Sequence, residues 1–380
     1  MDARRAEALD LGERQSARLR RWTINGDFVA LSPYGVARHA RETTLALDAL
    51  LDAADPQTEG LSLDLVAPRA DDLGLRRIAT RVVEEFATPR LPQVWAQLQL
   101  PPHVRGGLLS FCNLAPVSAR PHLVCIHDMQ TRLVPDSYGA GFRLAHRVIL
   151  PLLGRRCARI ATVTQQARSD IARCGVAPPQ RVVVVGNGVD HVRRWRPQAS
   201  RLTLPEEPFA LCLARRERHK NIAVAVEVAQ ALSQDGATTL FVGDFDESDL
   251  AALGRGRPKL LRLMGRLGDD DLALLFSRAA ALLVPSRAEG FGLPALEAMA
   301  FGCPTIVADI PSLREVCAEG ALHAGCDDAA GWIAQARALV ADAELRAALA
   351  QAGGRRAAHF TWEKVARRYL AVMAQIDAAD

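Results

Sequence analysis

Val284-Pro-Ser-Arg-Ala-Glu289-Gly-Phe-Gly-Leu-Pro-Ala-Leu-Glu297-Ala-Met-Ala-Phe-Gly-Cys-Pro304 sets two carboxylates around a turn and the start of a helix. The residues just before it, 279–284, are short and apolar and read as a buried strand. Gly290 and Gly292 permit a tight turn and the close approach of a ligand. Pro294 suits the first helical position, where its missing N–H costs nothing. Such a helix start turns free N–H groups and a positive dipole end toward the turn, an environment for an anion such as a diphosphate. Glu289 precedes that anion site and Glu297 follows about one turn into the helix, so the carboxylates can accept hydrogen bonds from sugar hydroxyls on either side of it. Taken singly, each Glu is more ordinarily structural, because the dipole alone favours an acid there. The whole string is far more specific than its parts.

Working outward, the chain alternates short apolar runs with amphipathic stretches. Strands are expected at 22–26, 61–67, 107–113, 122–128, 159–164 and 181–186, with a helix over 36–52. Residues 189–208 are rich in Arg, Pro and polar side chains and read as a linker. The alternation then restarts, with strands at 209–214, 238–243, 260–265, 279–285, 304–308 and 321–324. Helices follow at about 221–234, 269–278 and 294–301, and the last forty residues are mainly helical. Strand–helix alternation implies parallel sheets with right-handed crossovers, an α/β class. The expected organisation is an extension at 1–20, an α/β domain at 21–190, a linker at 191–208 and a second α/β domain at 209–361. Ligands of open parallel sheets bind beyond the carboxyl ends of the strands, so the motifs should meet in a cleft between the domains.

Bulk properties narrow the function. The 380 residues, 49% apolar and 24% charged, suit two or three domains with sizeable cores. A net charge of +4 gives no case for nucleic acid as a partner. The eight cysteines have no Cys-x-x-Cys spacing, which fits free thiols in a reducing compartment better than disulfides or zinc. No apolar run is long enough to cross a membrane, and the N-terminal residues lack a signal-peptide core, so a cytoplasmic location is expected.

Other constellations point to the same chemistry. Arg215 and Lys220 flank the loop after the first strand of the second domain; together they could neutralise a diphosphate and stabilise it as a leaving group. The chain has only three lysines, Lys220, Lys259 and Lys364, which sets Lys220 apart from the Arg-rich background. His127-Asp128 closes an apolar strand, where a His can bond a sugar hydroxyl or equally serve structure. Gly35 ends the loop after the first strand, ahead of a helix, and allows backbone approach to a phosphate. Gly-x-Gly-x-x-Gly, the P-loop and Gly-x-Ser-x-Gly are absent, which removes support for dinucleotide, P-loop and serine-hydrolase readings. No Asp-x-Asp pair marks a metal site in the first domain.

With these pieces together, the chain resembles the retaining glycosyltransferases of family four, which have the GT-B fold. The resemblance runs from about Trp22 to the C-terminus. Glu289-Gly-Phe-Gly-Leu-Pro-Ala-Leu-Glu297 matches the family's Glu–seven residues–Glu motif. Arg215 with Lys220-Asn221 resembles its phosphate clamp, although Ala214 stands where Gly is usual. Gly35-Val-Ala-Arg38, His127-Asp128, Asn187-Gly188-Val189-Asp190 and Phe360-Thr361-Trp362-Glu363 also fit.

The resemblance implies roles. Glu289 would contact donor-sugar hydroxyls, and backbone N–H groups around Phe291, Gly292 and Leu293 would hold the sugar and distal phosphate. Glu297 would bind the nucleotide ribose, Arg215 and Lys220 the diphosphate, and Arg266 and Leu267 the base. His127 would face the sugar from the first domain, Gly35 would close over the phosphates, and the helix at 362–380 would cross back onto the first domain. Transfer would retain anomeric configuration and need neither metal nor cofactor. The N-terminal strings, including Asn113-Leu114-Ala115-Pro116, look most like bacterial mannosyltransferases of polysaccharide assembly. GDP-mannose is therefore the first expectation for the nucleotide-sugar donor, and a glycan or lipid-linked oligosaccharide for the acceptor. A nucleotide-sugar 2-epimerase and a non-catalytic nucleotide-sugar-binding protein are the alternatives. Arg-rich stretches at 18–21 and 143–159 raise peripheral contact with anionic lipid, against their more ordinary role as solvated faces.

Overall fold

The computed structural model describes residues 19–32, 34–86 and 93–379. Nearly all of the extension expected at 1–20 lies outside them. Seven parallel strands form the first sheet: β1 (Arg20–Asn25), β2 (Leu61–Ala67), β3 (Ala79–Val82), β4 (Gly107–Ser110), β5 (His122–Cys125), β6 (Arg159–Thr162) and β7 (Val182–Val184), in the order β3-β2-β1-β4-β5-β6-β7. Six form the second: β8 (Phe209–Ala214), β9 (Thr238–Gly243), β10 (Leu261–Leu263), β11 (Ala281–Val284), β12 (Thr305–Ala308) and β13 (Leu322–Ala324), in the order β10-β9-β8-β11-β12-β13. Both are doubly wound, Rossmann-like sheets. The inner strands β4 and β5 are buried at every residue, as in a parallel sheet covered on both faces.

By packing the chain divides into two compact units. One holds the described residues up to Ile126, Ile149–Ala161 and Val365 onward; the other holds His127–Val148 and Thr162–Lys364. The second unit thus contains 127–148 and 162–190, which the sequence reading assigned to the first domain.

In the first unit, Trp22 and Ile24 of β1 are fully buried. The helix Val36–Asp52 packs through His39, whose Nε2 lies 2.9 Å from the Tyr369 hydroxyl. Tyr369 stands edge-on to Phe111, ring centroids 5.2 Å apart. Asp377, near the end of the chain, accepts from the Trp22 indole N–H at 2.8 Å and pairs with Arg20, so the last helix is bonded to the first strand. The strand β3, Ala-Thr-Arg-Val, escaped the sequence reading. It is an exposed edge with no apolar alternation, and it is aimed by Asp48, whose carboxylate accepts the N–H groups of Arg76, Arg77 and Ile78 at 2.8 Å each.

In the second unit, the order reverses between β8 and β11, whose consecutive connections leave in opposite directions. This is the topological switch point, where the loops after two adjacent strands diverge and leave a crevice. The loop after β8 carries Arg215 and Lys220, and the loop after β11 carries Glu289 to Gly292. Residues 190–199, which composition marked as linker, form two 3-10 turns, Asp190–Arg194 and Pro197–Ala199, with His191, Val192 and Trp195 buried.

Candidate active site

The switch point brings Lys220 and Glu289 together: Nζ donates to Glu289 Oε1 at 2.7 Å, with 21% and 12% of the two side chains exposed. Lys220 closes a 3-10 turn, Arg218–Lys220, and the helix starts at Ile222. Between them Asn221 adopts a left-handed conformation (φ 55°), and its amide donates to Pro285 O at 3.1 Å and Cys326 O at 2.8 Å. That one side chain ties the loop after β8 to the loops after β11 and β13.

Charge in this pocket follows from burial and neighbours. Burial works to raise the Glu289 carboxyl, but the Lys220 charge and hydrogen bond, a hydrogen bond from Ser286 and the charge of His219 outweigh it, so Glu289 sits below its ordinary range. Burial raises Asp128, and the neighbouring Glu289 adds to the rise. Burial lowers His219, and the adjacent Lys220 lowers it further. The pocket therefore groups Lys220 and ionised Glu289 with Asp128 and His219.

The turn after Glu289 needs its glycines. A Cβ on Gly290 would lie 2.9 Å from the His127 carbonyl oxygen and 3.3 Å from Asp128 Cβ. His127 itself is buried and belongs to the second unit. Gly290 O accepts from Thr164 Oγ1 at 2.9 Å. Gly292, at φ 88°, is the N-cap, and the helix runs Leu293–Ala300, so Pro294 is its second residue rather than its first. The backbone N–H groups of Phe291, Gly292 and Leu293 have no acceptor among the described residues, and Pro294 has none to offer. Three successive unpartnered donors at a helix start beside a Lys are a place for an anion.

Glu297 is one turn into that helix and 6% exposed. Its Oε1 lies 2.9 Å from His191 Nε2, and His191 Nδ1 lies 3.0 Å from the indole N–H of Trp362. His191 carried no sequence signal, since it is surrounded by Arg and Pro in the presumed linker. The only hint was its place directly after Asn187-Gly188-Val189-Asp190.

The remaining candidates are more peripheral. Arg215 is half exposed and donates to Glu217 at 2.8 Å. Arg266 donates to Asp244, just past β9, at 3.0 Å, and Leu267 beside it is half-buried. Gly35 lies in the first unit as the N-cap of Val36–Asp52 (φ 54°), with open space where a Cβ would stand.

Residues 194–356 match the family of glycosyl transferases group 1. The chain is 26% identical over 219 residues to the O-antigen chain mannosyltransferase RfbU of Salmonella typhimurium, covering 56% of this chain and 59% of that one. It thus spans less than two thirds of the length of that relative, and of the similar O-antigen chain mannosyltransferase B of Escherichia coli, 57% of which is covered. Among solved structures, the sucrose-phosphate synthase of Thermosynechococcus elongatus superposes with a TM-score of 0.69 at 18% identity, over 95% of this chain and 100% of that one. Anabaena HepE, solved in complex with UDP and glucose, gives 0.66 at 16% identity, over 94% and 100%. The two doubly wound sheets are those of the GT-B fold, and residues 194–356 form a domain of the glycosyl transferases group 1 family.

Proposed function

We propose that the protein is a retaining hexosyltransferase that moves a sugar, mannose in the first instance, from a nucleotide-diphosphate donor to a glycan or lipid-linked acceptor in polysaccharide assembly. The observation that carries this is the Lys220–Glu289 ion pair set against the unpartnered N–H groups of Phe291, Gly292 and Leu293. The N–H groups and Lys220, with Arg215 beyond them, meet the negative charge that develops on a departing diphosphate. Glu289, kept ionised, accepts hydroxyl protons of the hexose. Glu297 takes the ribose, Arg266 and Leu267 flank the base, and His127 approaches the sugar. With cationic and N–H donors for the diphosphate, the proposal requires no divalent metal and no cofactor. The acceptor attacks from the face the leaving phosphate vacates, and that phosphate takes the acceptor's proton.

The relationship to O-antigen mannosyltransferases supports GDP-mannose as the first donor to test. A cytoplasmic location, at the inner face of the membrane when the acceptor is lipid-linked, completes the reading. Eight free cysteines accord with a reducing compartment, and no helix among the described residues is long and apolar enough to cross a membrane.

The test is transfer from GDP-mannose and UDP-glucose to lipid-linked oligosaccharide, with the anomer of the product read by NMR. Retention is expected, with activity unchanged in EDTA and a loss of about a hundredfold in kcat for Glu289→Gln. An inverted product, or a trapped glycosyl-enzyme, defeats the same-face mechanism. Sugar-nucleotide turnover without any acceptor product would favour the 2-epimerase, and donor binding without turnover a binding protein.

A further inference from the structure

Glu297 does not stand alone in its helix. His191 is fully buried, Trp362 is 3% exposed, and the three side chains form one chain of hydrogen bonds from indole to imidazole to carboxylate. An indole N–H can only donate. His191 Nδ1 must therefore accept, so its proton sits on Nε2 and is directed at Glu297 Oε1. A doubly protonated ring would set an N–H against the indole N–H.

The elements that hold this relay are themselves locked. Trp362 N donates to Asp190 Oδ1 at 2.8 Å, and Val189 N to Phe360 O at 3.1 Å. A Cβ on Gly188 would lie 2.3 Å from Trp362 N, so the two segments are in backbone contact. On its other side the His191 ring meets Trp195 edge-on at 5.4 Å, and Trp195 stacks on Phe301 at 5.9 Å, just past the helix that carries Glu297. The imidazole thus has a fixed place, a fixed tautomer and one acceptor.

We propose that His191, with its tautomer set by Trp362, is a positioning residue that fixes the rotamer of Glu297 for recognition of the nucleotide ribose. This rests on the assignment of Glu297 to the ribose made above. Removing the imidazole N–H takes away a buried hydrogen bond that orients the carboxylate, so discrimination for the ribose hydroxyls is weakened while phosphate binding persists.

The experiment is calorimetric titration of the full chain with GDP and UDP, and with their 2′,3′-dideoxy forms. The readout is the ratio of dideoxy to ribo dissociation constants for whichever base binds. Hydrogen bonds to a charged group predict a ratio of about ten or more in the unsubstituted chain. His191→Phe should lower the ratio severalfold. His191→Gln, whose amide offers an N–H donor and a carbonyl acceptor to replace those of the ring, should retain most of it. Should His191→Phe fail to fold, Trp362→Phe, which removes the group that sets the tautomer, should still lower the ratio.

Affinity for both forms falling in parallel, with the ratio intact in His191→Phe and Trp362→Phe, reduces His191 to a packing residue and overturns the proposal. Glu297→Ala, run alongside, separates the two ideas. If it leaves the ratio unchanged, the ribose assignment itself fails. If it abolishes the ratio while the His191 and Trp362 variants keep it, only the positioning role fails.

Discussion

Lys220 keeps Glu289 charged in a pocket that would otherwise neutralise it. The Glu289 pKa is depressed in the folded protein, so the pair adds stability above the ordinary value of 4.5 and loses it as pH falls through the lower folded value. Lys220→Met keeps the stem and removes the charge, leaving the burial effect opposed only by the Ser286 hydrogen bond and the charge of His219. The acid limb of the kcat/KM profile should then move to higher pH, and kcat should fall by about a hundredfold. An acid limb that stays in place would mean another group controls it. The identities of these two residues were legible in the sequence, because a carboxylate ahead of a Gly-x-Gly turn and a rare Lys after a strand are chemical signals. Their contact was not, because it depends on β8 and β11 being neighbours. His191 was illegible for a different reason. Composition averages over a stretch, and the Arg and Pro around it concealed one inward-facing ring.

At the scale of elements, the Leu293–Ala300 helix is aimed by a residue that tolerates no side chain. Gly292 has φ 88°, and a Cβ there would fall 2.3 Å from Leu313 Cδ2. Gly292→Ala should cost about 2–4 kcal/mol in urea unfolding, from left-handed strain and overpacking, and should also weaken nucleotide binding. Stability equal to that of the unsubstituted chain would show that the turn relaxes freely. In the second sheet the strands expected at 209–214 and 238–243 have those bounds in the structure, because buried parallel strands announce themselves as apolar runs. The edge strand β3 lacks that signature, since water covers it and its course is set by Asp48 from a distant helix.

At the scale of the molecule, every residue assigned to the donor except Gly35 belongs to the second unit. Hydrogen exchange with and without saturating GDP should therefore show protection around 215–221 and 289–297, with β2 in the first unit unchanged. Protection confined to β2 and its neighbours would place the nucleotide elsewhere. The bond between Asp377 and Trp22 carries a consequence for biosynthesis. Strand β1 and the helix Val36–Asp52 are synthesised before the second unit, yet their partners Asp377 and Tyr369 are synthesised after it. A domain that folds during synthesis must have all its parts outside the exit tunnel. The first unit thus reaches its final packing only after the second unit has been translated in full.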